Sequence, residues 1–591
     1  MPSMHTISRP PLAADWSQRR PAGYDVVIIG SGYGGSIAAA RLATAEYSDD
    51  KPSICVLERG REWLPGQFPD RLDKGAGEVF DAQSNPLGLY RFPAGTDIIP
   101  IVGSGLGGTS LINANVVIEP DAEVFDDPRW PQAIREARNQ GELQRNFERV
   151  RFTLGAGPHP RGRDLSKVRA LEQGQGGGQF FLNNIAVNFE PDGPNRWQVP
   201  QRRCINCGDC FTGCNVGAKN TLDTNYLAIA RQAGADLFPQ VEVERIEPHP
   251  AGGYQVLYIR REAARRSPDR GTLRARRAVV VAAGSIGSTE ILLRSRQRLS
   301  LSDALGTRFS GNGDFFGLAY NCDSRTDALG WGAFPDSGRA RRVQPLPNPT
   351  PEQMLHPGPT IVASLRFNRD LPLAQRVTVQ DLSFPLMYVD AARAAFAVVA
   401  GRDTDPDNVL DNLDEFRRRV LDFGAFNPRL EKGALNHTLF YLVMGIDDSG
   451  GRIALDEQGA ARIDWPGAGG QPVFQLQNGL LQQHATALGS TFVENPLWGF
   501  SPWRTLATAH PLGGCPMGED HLTGVVNDQG QAFTVQGGLH PGLYVADGSI
   551  VPTAIGVNPL LTISALSERV AEKLTIELGG VPAEPARAAR V

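Results

Sequence analysis

Tyr24-Asp25-Val26-Val27-Ile28-Ile29-Gly30-Ser31-Gly32-Tyr33-Gly34-Gly35 is the stretch on which the reading of this chain turns. Residues 25–29 are apolar and β-branched without alternation, as expected of a parallel strand buried on both faces. The run stops at a G-x-G-x-x-G turn made by Gly30, Gly32 and Gly35. The first glycine permits a tight turn, the second lets backbone approach a ligand closely, and the third lets the following helix lie on the strand. A helix is expected through 37–43, and its N-terminal N–H groups and partial positive charge suit a pyrophosphate. A second strand, 53–57, ends on Glu58, whose carboxylate can accept hydrogen bonds from ribose hydroxyls. Strand, turn, helix, strand and acid in this order predict a dinucleotide site. The acid disfavours a 2′-phosphate, which makes NADP the least favoured of NAD, FAD and NADP.

The chain has 591 residues, 41% hydrophobic and 21% charged, enough for two or more domains with ample cores. A net charge of −5 argues against a polyanionic partner, so no nucleic acid is expected. No apolar run reaches the roughly 18 residues of a membrane span. Residues 1–21 lack the apolar stretch of an export signal, so the Arg19-Arg20 pair is not read as one, and the expected compartment is the cytoplasm. Seven cysteines, four of them between Cys204 and Cys214, suit a reducing compartment better than a disulfide framework.

Residues 61–100 are punctuated by proline and glycine and are expected to cover a ligand or line an entrance. The loop 103–113 contains Gly103, Gly105, Gly107 and Gly108 and ends on Asn113; it lets backbone approach a large flat ligand, or forms a sharp surface turn. A charged helix is expected over 131–150. Cys204, Cys207, Cys210 and Cys214 have the spacing C-x2-C-x2-C-x3-C, the run that bacterial ferredoxins use for iron–sulfur clusters. Asn215 stands where a proline usually follows, and a zinc site or buried thiols are the competing readings.

Downstream, 241–247 and 254–259 read as a paired hairpin. Residues 277–283 form another buried strand, ending at Ala283-Gly284 before a helix over 289–294. From 311 to about 495 the pattern becomes alternating strands, such as 359–367, 377–389 and 437–444, with a helix near 477–492. The last hundred residues return to glycine turns: His510-Pro511-Leu512-Gly513-Gly514, then a strand over 543–546, Asp547-Gly548-Ser549, and Asn558-Pro559 opening a helix over 560–574.

These elements predict an α/β architecture. A discontinuous Rossmann-like domain occupies 23–310 and 500–578, with a cysteine-rich insertion at 200–220. A largely antiparallel β-sheet substrate domain occupies 311–499, an extension 1–22 precedes them and a tail 579–591 follows.

In their order and spacing the motifs resemble the glucose–methanol–choline (GMC) family of FAD-dependent oxidoreductases, in its cholesterol-oxidase-like branch, over roughly 24–574. The resemblance implies FAD rather than NAD, with its flavin ring buried between the two domains, and the glycine turn and Glu58, with no recognisable attachment motif, predict that it is held non-covalently. Glu58 would serve the adenosine ribose, Gly107, Gly108 and Asn113 the flavin, and Ala283, Gly284, Asp547 and Gly548 the rest of the cofactor. It makes His510 and Asn558 the pair at the flavin's reactive edge. The implied chemistry is hydride transfer from a hydrophobic alcohol to flavin N5, with O2 or a redox partner as final acceptor. Histidine suits the base because its ordinary pKa lies near 6.5. Alternatives are a flavoprotein of the same fold acting as a lyase, desaturase or isomerase, or a dehydrogenase relaying electrons through a cluster in the cysteine run. Asn558 stands where many members have a second histidine. The substrate-domain glutamate of cholesterol oxidases has no counterpart motif here, so sterol specificity stays open. His437 is a further candidate base or a satisfied core histidine.

Overall fold

The computed structural model describes residues 9–261, 268–331, 355–389, 392, 411–423, 432–499 and 504–583. The strand Tyr24–Ile29 lies at the centre of an eight-stranded sheet, with Ile54–Leu57 on one side and Asp269–Val281 on the other, both parallel to it. Asp236–Phe238 extends the parallel set beyond Ile54–Leu57, and Leu539–Val545 extends it beyond the second half of Asp269–Val281. Val26, Val27 and Ile28 are fully buried, which is why they alternate with nothing polar.

The helix Tyr33–Thr44 packs against the helix Leu560–Glu577, so the two ends of the chain share one layer. The expected hairpin is part of a three-stranded meander: Val241–Pro248 pairs with Tyr254–Arg260, which pairs antiparallel with the first half of Asp269–Val281. The helix Gly284–Ser295 packs on that meander. Residues 9–22 also join this unit. Trp16 is buried edge-on against Phe238 and Tyr258, with ring centroids 5.0 and 5.1 Å away, and Ala14 donates its N–H to the Leu237 carbonyl.

The second sheet is antiparallel throughout, in the order Thr491–Val493, Phe315–Tyr320, Leu439–Met444, Val377–Leu382, Ala363–Phe367 and Gln179–Leu182. Its period of two separates a core face from a face turned toward the first unit. Phe315 packs with Phe474 and Trp498, while its neighbour Phe316 faces a large cavity. Tyr441 bonds His484 on the core side, while Leu442 faces the cavity. The helix Pro472–Ala487 covers the core side beside Phe315–Tyr320.

The α/β class, the discontinuous Rossmann-like unit and the antiparallel sheet are therefore all present. Individual bounds differ. The helix expected over 131–150 is two helices, Gln132–Asn139 and Glu142–Leu154, broken at Gly141 in a left-handed conformation. The helix placed near 477–492 runs Pro472–Ala487, and the strand Thr491–Val493 follows it. Residues 1–8 of the extension and 584–591 of the tail lie outside the described residues.

Candidate active site

One cavity of about 710 Å³ lies where the parallel strands end, between them and the antiparallel sheet. Ligands of open α/β sheets bind at this position, beyond the carboxyl ends of the strands. Gly30, Gly32, Glu58, Gly108, Asn113, Ala283, Gly284, Asp547, Gly548, His510 and Asn558 all line it. Gly35 and Gly107 do not; each acts from behind the wall.

The glycine turn is built by close contacts. Gly30 has φ +96°, and a Cβ there would stand 2.4 Å from the Ala282 carbonyl oxygen. A Cβ on Gly35 would meet the Gly30 carbonyl at 2.0 Å, and one on Gly34 would meet the Ala546 carbonyl at 1.4 Å. Gly34, outside the motif's spacing, is thus what lets the helix Tyr33–Thr44 reach the end of Leu539–Val545. Gly32 differs: a Cβ there would meet nothing within 4 Å, because that side opens into the cavity. Gly32 caps the helix Tyr33–Thr44 without a side-chain bond, so the helix keeps free N–H groups for an anion.

Ser31 ties this turn to its neighbours. Its N–H and hydroxyl both donate to Glu58 Oε2, at 3.0 and 2.7 Å, and its Oγ accepts the Gly107 N–H at 3.0 Å. Glu58 Oε1 accepts the Gly60 N–H at 2.8 Å. A carboxylate offers about four lone-pair sites, so Glu58 can serve a ribose only while also fastening the turn. Asp547 is committed in the same way. Its Oδ2 accepts from Gly284 N–H and the Ser288 hydroxyl, and its Oδ1 from Ser549 N–H and hydroxyl. Burial raises its pKa above the usual carboxylate range.

Four buried polar atoms of wall residues have no protein partner: Arg59 Nε, Ser104 Oγ, Asn113 Oδ1 and Asn115 Nδ2. Unpaired buried polar groups are costly, so four of them on residues lining this cavity suit a polar ligand. Burial also lowers Arg59 to about 10, with Arg91 close by.

His510 lines the same cavity. Its Nδ1 lies 2.7 Å from Asp314 Oδ1, and Asp314 is fully buried. Asp314 Oδ2 accepts from Thr508 Oγ1 at 3.0 Å and from Ala509 N–H at 2.9 Å. A carboxylate only accepts, so Nδ1 carries the hydrogen and Nε2 is left with a lone pair. Asn558 Nδ2 comes within 3.4 Å of that Nε2, and Asn558 Oδ1 accepts from Gln380 Nε2 at 2.8 Å. Gln380 also donates to Ser364 Oγ, so the antiparallel sheet orients the amide of Asn558. Asn312 holds the preceding loop by accepting from Ile555 and Gly556 N–H. The helix that follows begins at Leu560 with Pro559 in the cap position. Phe316, Leu382, Phe384 and Leu442 supply an apolar wall facing this pair.

His437 is elsewhere. It is buried, its Nδ1 lies 2.8 Å from the Cys322 carbonyl oxygen, and burial pushes its pKa down to about 4. Cys204, Cys207, Cys210 and Cys214 wall a separate small cavity. Among the described residues no three His, Cys, Asp or Glu side chains are arranged to hold a metal ion.

Comparison with known proteins matches residues 24–298 and 490–567 to the N- and C-terminal models of the GMC oxidoreductases. The chain belongs to the GMC oxidoreductase family. A cholesterol oxidase of Mycobacterium tuberculosis is 27% identical, the match covering 93% of this chain and 90% of that protein. A cholesterol oxidase of Acinetobacter baumannii is 26% identical over 92% and 93%. A long-chain-alcohol oxidase of Arabidopsis thaliana is 24% identical over 93% of this chain and 66% of its own length. In structure, an FAD-dependent oxidoreductase of Chaetomium thermophilum aligns with a TM-score of 0.54 and 16% identity over 94% of this chain, a likeness of fold.

The cofactor that membership in the GMC family implies is FAD, and the cavity fits it. The open side of Gly32, the uncapped helix end and the four unpartnered polar atoms suit the dinucleotide half, and the apolar wall suits a ring system. Among the described residues of this GMC oxidoreductase, no helix is long and apolar enough to cross a membrane.

Proposed function

We propose that this GMC oxidoreductase oxidises the CH–OH group of a hydrophobic alcohol, with His510 as base and Asn558 orienting the substrate oxygen. The observation that carries this reading is the contact of His510 Nδ1 with the Asp314 carboxylate, which leaves Nε2 beside Asn558 in a cavity with apolar residues in its wall. Bound FAD supplies the hydride acceptor. His510 Nε2 takes the hydroxyl proton as the carbinol hydride departs, and Asp314 stabilises the imidazolium that forms. Asn558 cannot take a proton, but its Nδ2 donates to whatever oxygen sits beside Nε2. Phe316, Leu382 and Leu442 exclude water and bind the apolar body of the substrate.

The cholesterol and long-chain-alcohol oxidases among its relatives support an apolar alcohol. Between residues 311 and 499, the described part of the chain adds no carboxylate to the cavity wall, so no acid there competes with His510 as base. Gly30, Gly32, Glu58, Gly108, Asn113, Gly284 and Asp547 are the residues proposed to hold or frame FAD.

The test is anaerobic mixing of the flavin-loaded protein with primary alcohols of increasing chain length and with sterols. Bleaching of the flavin band by an apolar alcohol supports the reading. A flavin that no alcohol reduces, but that turns over an unsaturated or isomerisable substrate, would replace it. Peroxide formed on readmitting air identifies O2 as the acceptor; slow reoxidation points to a redox partner.

A further inference from the structure

Asn558 is the last member of a buried polar chain that crosses the antiparallel sheet. Asn183 follows the edge strand Gln179–Leu182, Ser364 lies in Ala363–Phe367, and Gln380, in Val377–Leu382, stands directly opposite Ser364. Gln380 is also paired with Leu442, a wall residue of the large cavity, so the chain runs on the face turned toward that cavity. All four side chains are buried. Their bonds run one way. Ser364 Oγ donates to Asn183 Oδ1 at 2.7 Å and accepts from Gln380 Nε2 at 3.0 Å, and the same Nε2 donates to Asn558 Oδ1 at 2.8 Å. That leaves Asn558 Nδ2 as the donor toward His510 Nε2, 3.4 Å away.

No bond outside the chain holds this direction. Asn183 Nδ2 and Gln380 Oε1 are buried without a partner, and the side chains of Ser364 and Asn558 make no further hydrogen bond among the described residues. If each amide made half a turn and exchanged its O and N, the same contacts would close in the opposite sense. Asn183 Nδ2 would then donate to Ser364 Oγ, Ser364 and Asn558 would both donate to Gln380 Oε1, and Asn558 Oδ1 would face His510. The next residue along shows the contrast. Asp381, which only accepts, and Lys167, which only donates, form a pair of fixed sense at 2.7 Å. His510 meets both kinds of partner: at Nδ1 the carboxylate of Asp314, and at Nε2 a chain equally able to donate or to accept.

We propose that Asn183, Ser364 and Gln380 are positioning residues that set the polarity of the Asn558 amide, and that the four side chains reverse together. The chain donates toward a bare Nε2 or toward a substrate oxygen beside it. It accepts once Nε2 keeps the substrate's proton and the oxidised product has left, when an N–H facing an N–H would leave a buried charge unpaired. The reversal itself transfers neither proton nor electron, because each amide keeps its own hydrogens and the hydroxyl only rotates. The inference rests on His510 being the base of the alcohol oxidation proposed above.

The experiment uses two locks of opposite sense in the full-length, flavin-loaded protein. Gln380→Glu, once ionised, offers only oxygens, so Asn558 must turn its Nδ2 toward it and its Oδ1 toward His510. Asn183→Asp also accepts only, which keeps Ser364, Gln380 and Asn558 in the sense observed. Neutron diffraction from deuterated crystals without alcohol tells N–D from O directly. Asn558 Oδ1 facing His510 in Gln380→Glu, and Nδ2 facing it in Asn183→Asp, are expected; one orientation in both overturns the proposal. On anaerobic mixing, Gln380→Glu should weaken alcohol binding about tenfold, the effect of one hydrogen bond, whereas Asn183→Asp should bind alcohol as the wild type does and be inhibited more tightly by the oxidised product. Equal losses in the two variants overturn it as well. Should a buried carboxylate prevent folding, Ser364→Ala cuts the chain without adding charge. It should weaken alcohol binding and Ser364→Thr should restore it, and unchanged binding in Ser364→Ala overturns the proposal. A wild-type flavin that no alcohol reduces defeats the alcohol reading alone, because the neutron result needs no substrate.

Discussion

The imidazole of His510 is held at 2.7 Å by Asp314, a buried carboxylate 196 residues earlier in the chain, at the entrance to the antiparallel sheet. Asp314 also holds Thr508 and the Ala509 N–H, so one side chain fixes both the ring and the strand that presents it. Asp314→Asn should keep the fold and the flavin but admit the wrong tautomer at Nε2. Reduction by alcohol should slow on the order of 10²-fold or more. Single-turnover reduction followed across pH is the check, and wild-type rates in Asp314→Asn would show that the contact is structural only.

His510→Gln should bind FAD normally and slow reduction on the order of 10²- to 10⁴-fold. Asn558→Ala should slow reduction by a smaller factor, because the amide orients and does not carry the proton. Stopped-flow mixing without oxygen separates the two.

Gly30 and Gly32 stand two residues apart but should fail differently. Gly32→Val projects into open space, so the protein should fold with an unchanged unfolding temperature and purify colourless. Gly30→Ala places a Cβ 2.4 Å from backbone at φ +96°, and the left-handed conformation alone costs about 1–2 kcal/mol. Its loss should appear in thermal unfolding before flavin content. A stable, yellow Gly32→Val protein would remove the pyrophosphate from that turn.

Acid should destabilise the fold through two histidines that are buried neutral. His484 accepts the Tyr441 hydroxyl and donates to the Leu171 carbonyl, and burial pushes both it and His437 down to about 4. Their folded values lie below the unfolded 6.5, so the stability they hold is present above 6.5 and lost as pH falls toward 4. At about 1.4 kcal/mol per unit the upper bound is on the order of 3 kcal/mol each. Asp447 works in the opposite direction. Burial raises it to about 6, so its penalty fades as pH drops through 6. Urea unfolding midpoints between pH 7 and pH 4 should fall, and His484→Gln should flatten that fall.

What could be read from the sequence was what sits in a contiguous motif. Gly30, Gly32, Glu58, His510 and Asn558 each belong to a short run whose spacing carries its own geometry, and all five reach one cavity. Asp314 and Gln380 are not legible from the sequence. Each acts through a contact more than 170 residues away, and nothing in its immediate neighbours fixes that distance. A signal existed in both cases. Asp314 ends the polar turn Gly311-Asn312-Gly313 ahead of an apolar strand, and Gln380 is a polar residue inside the buried strand Val377–Leu382. The helix Pro472–Ala487 starts five residues before the apolar period suggests, because Pro472 is a proper first-turn residue.

The strand Gln179–Leu182 closes one edge of the antiparallel sheet, although it precedes the last strands of the parallel sheet in the chain. The two lobes are therefore laced through each other, and no single cut frees either one. A fragment spanning 311–499 would expose the backbone of Ala363–Phe367 as a bare edge, the kind of surface on which chains aggregate. A ribosome-bound chain cannot finish the parallel sheet until Leu539–Val545 has emerged. Such long-range closure makes folding slow and collective, and expression trials should favour the whole polypeptide at low temperature over dissected halves.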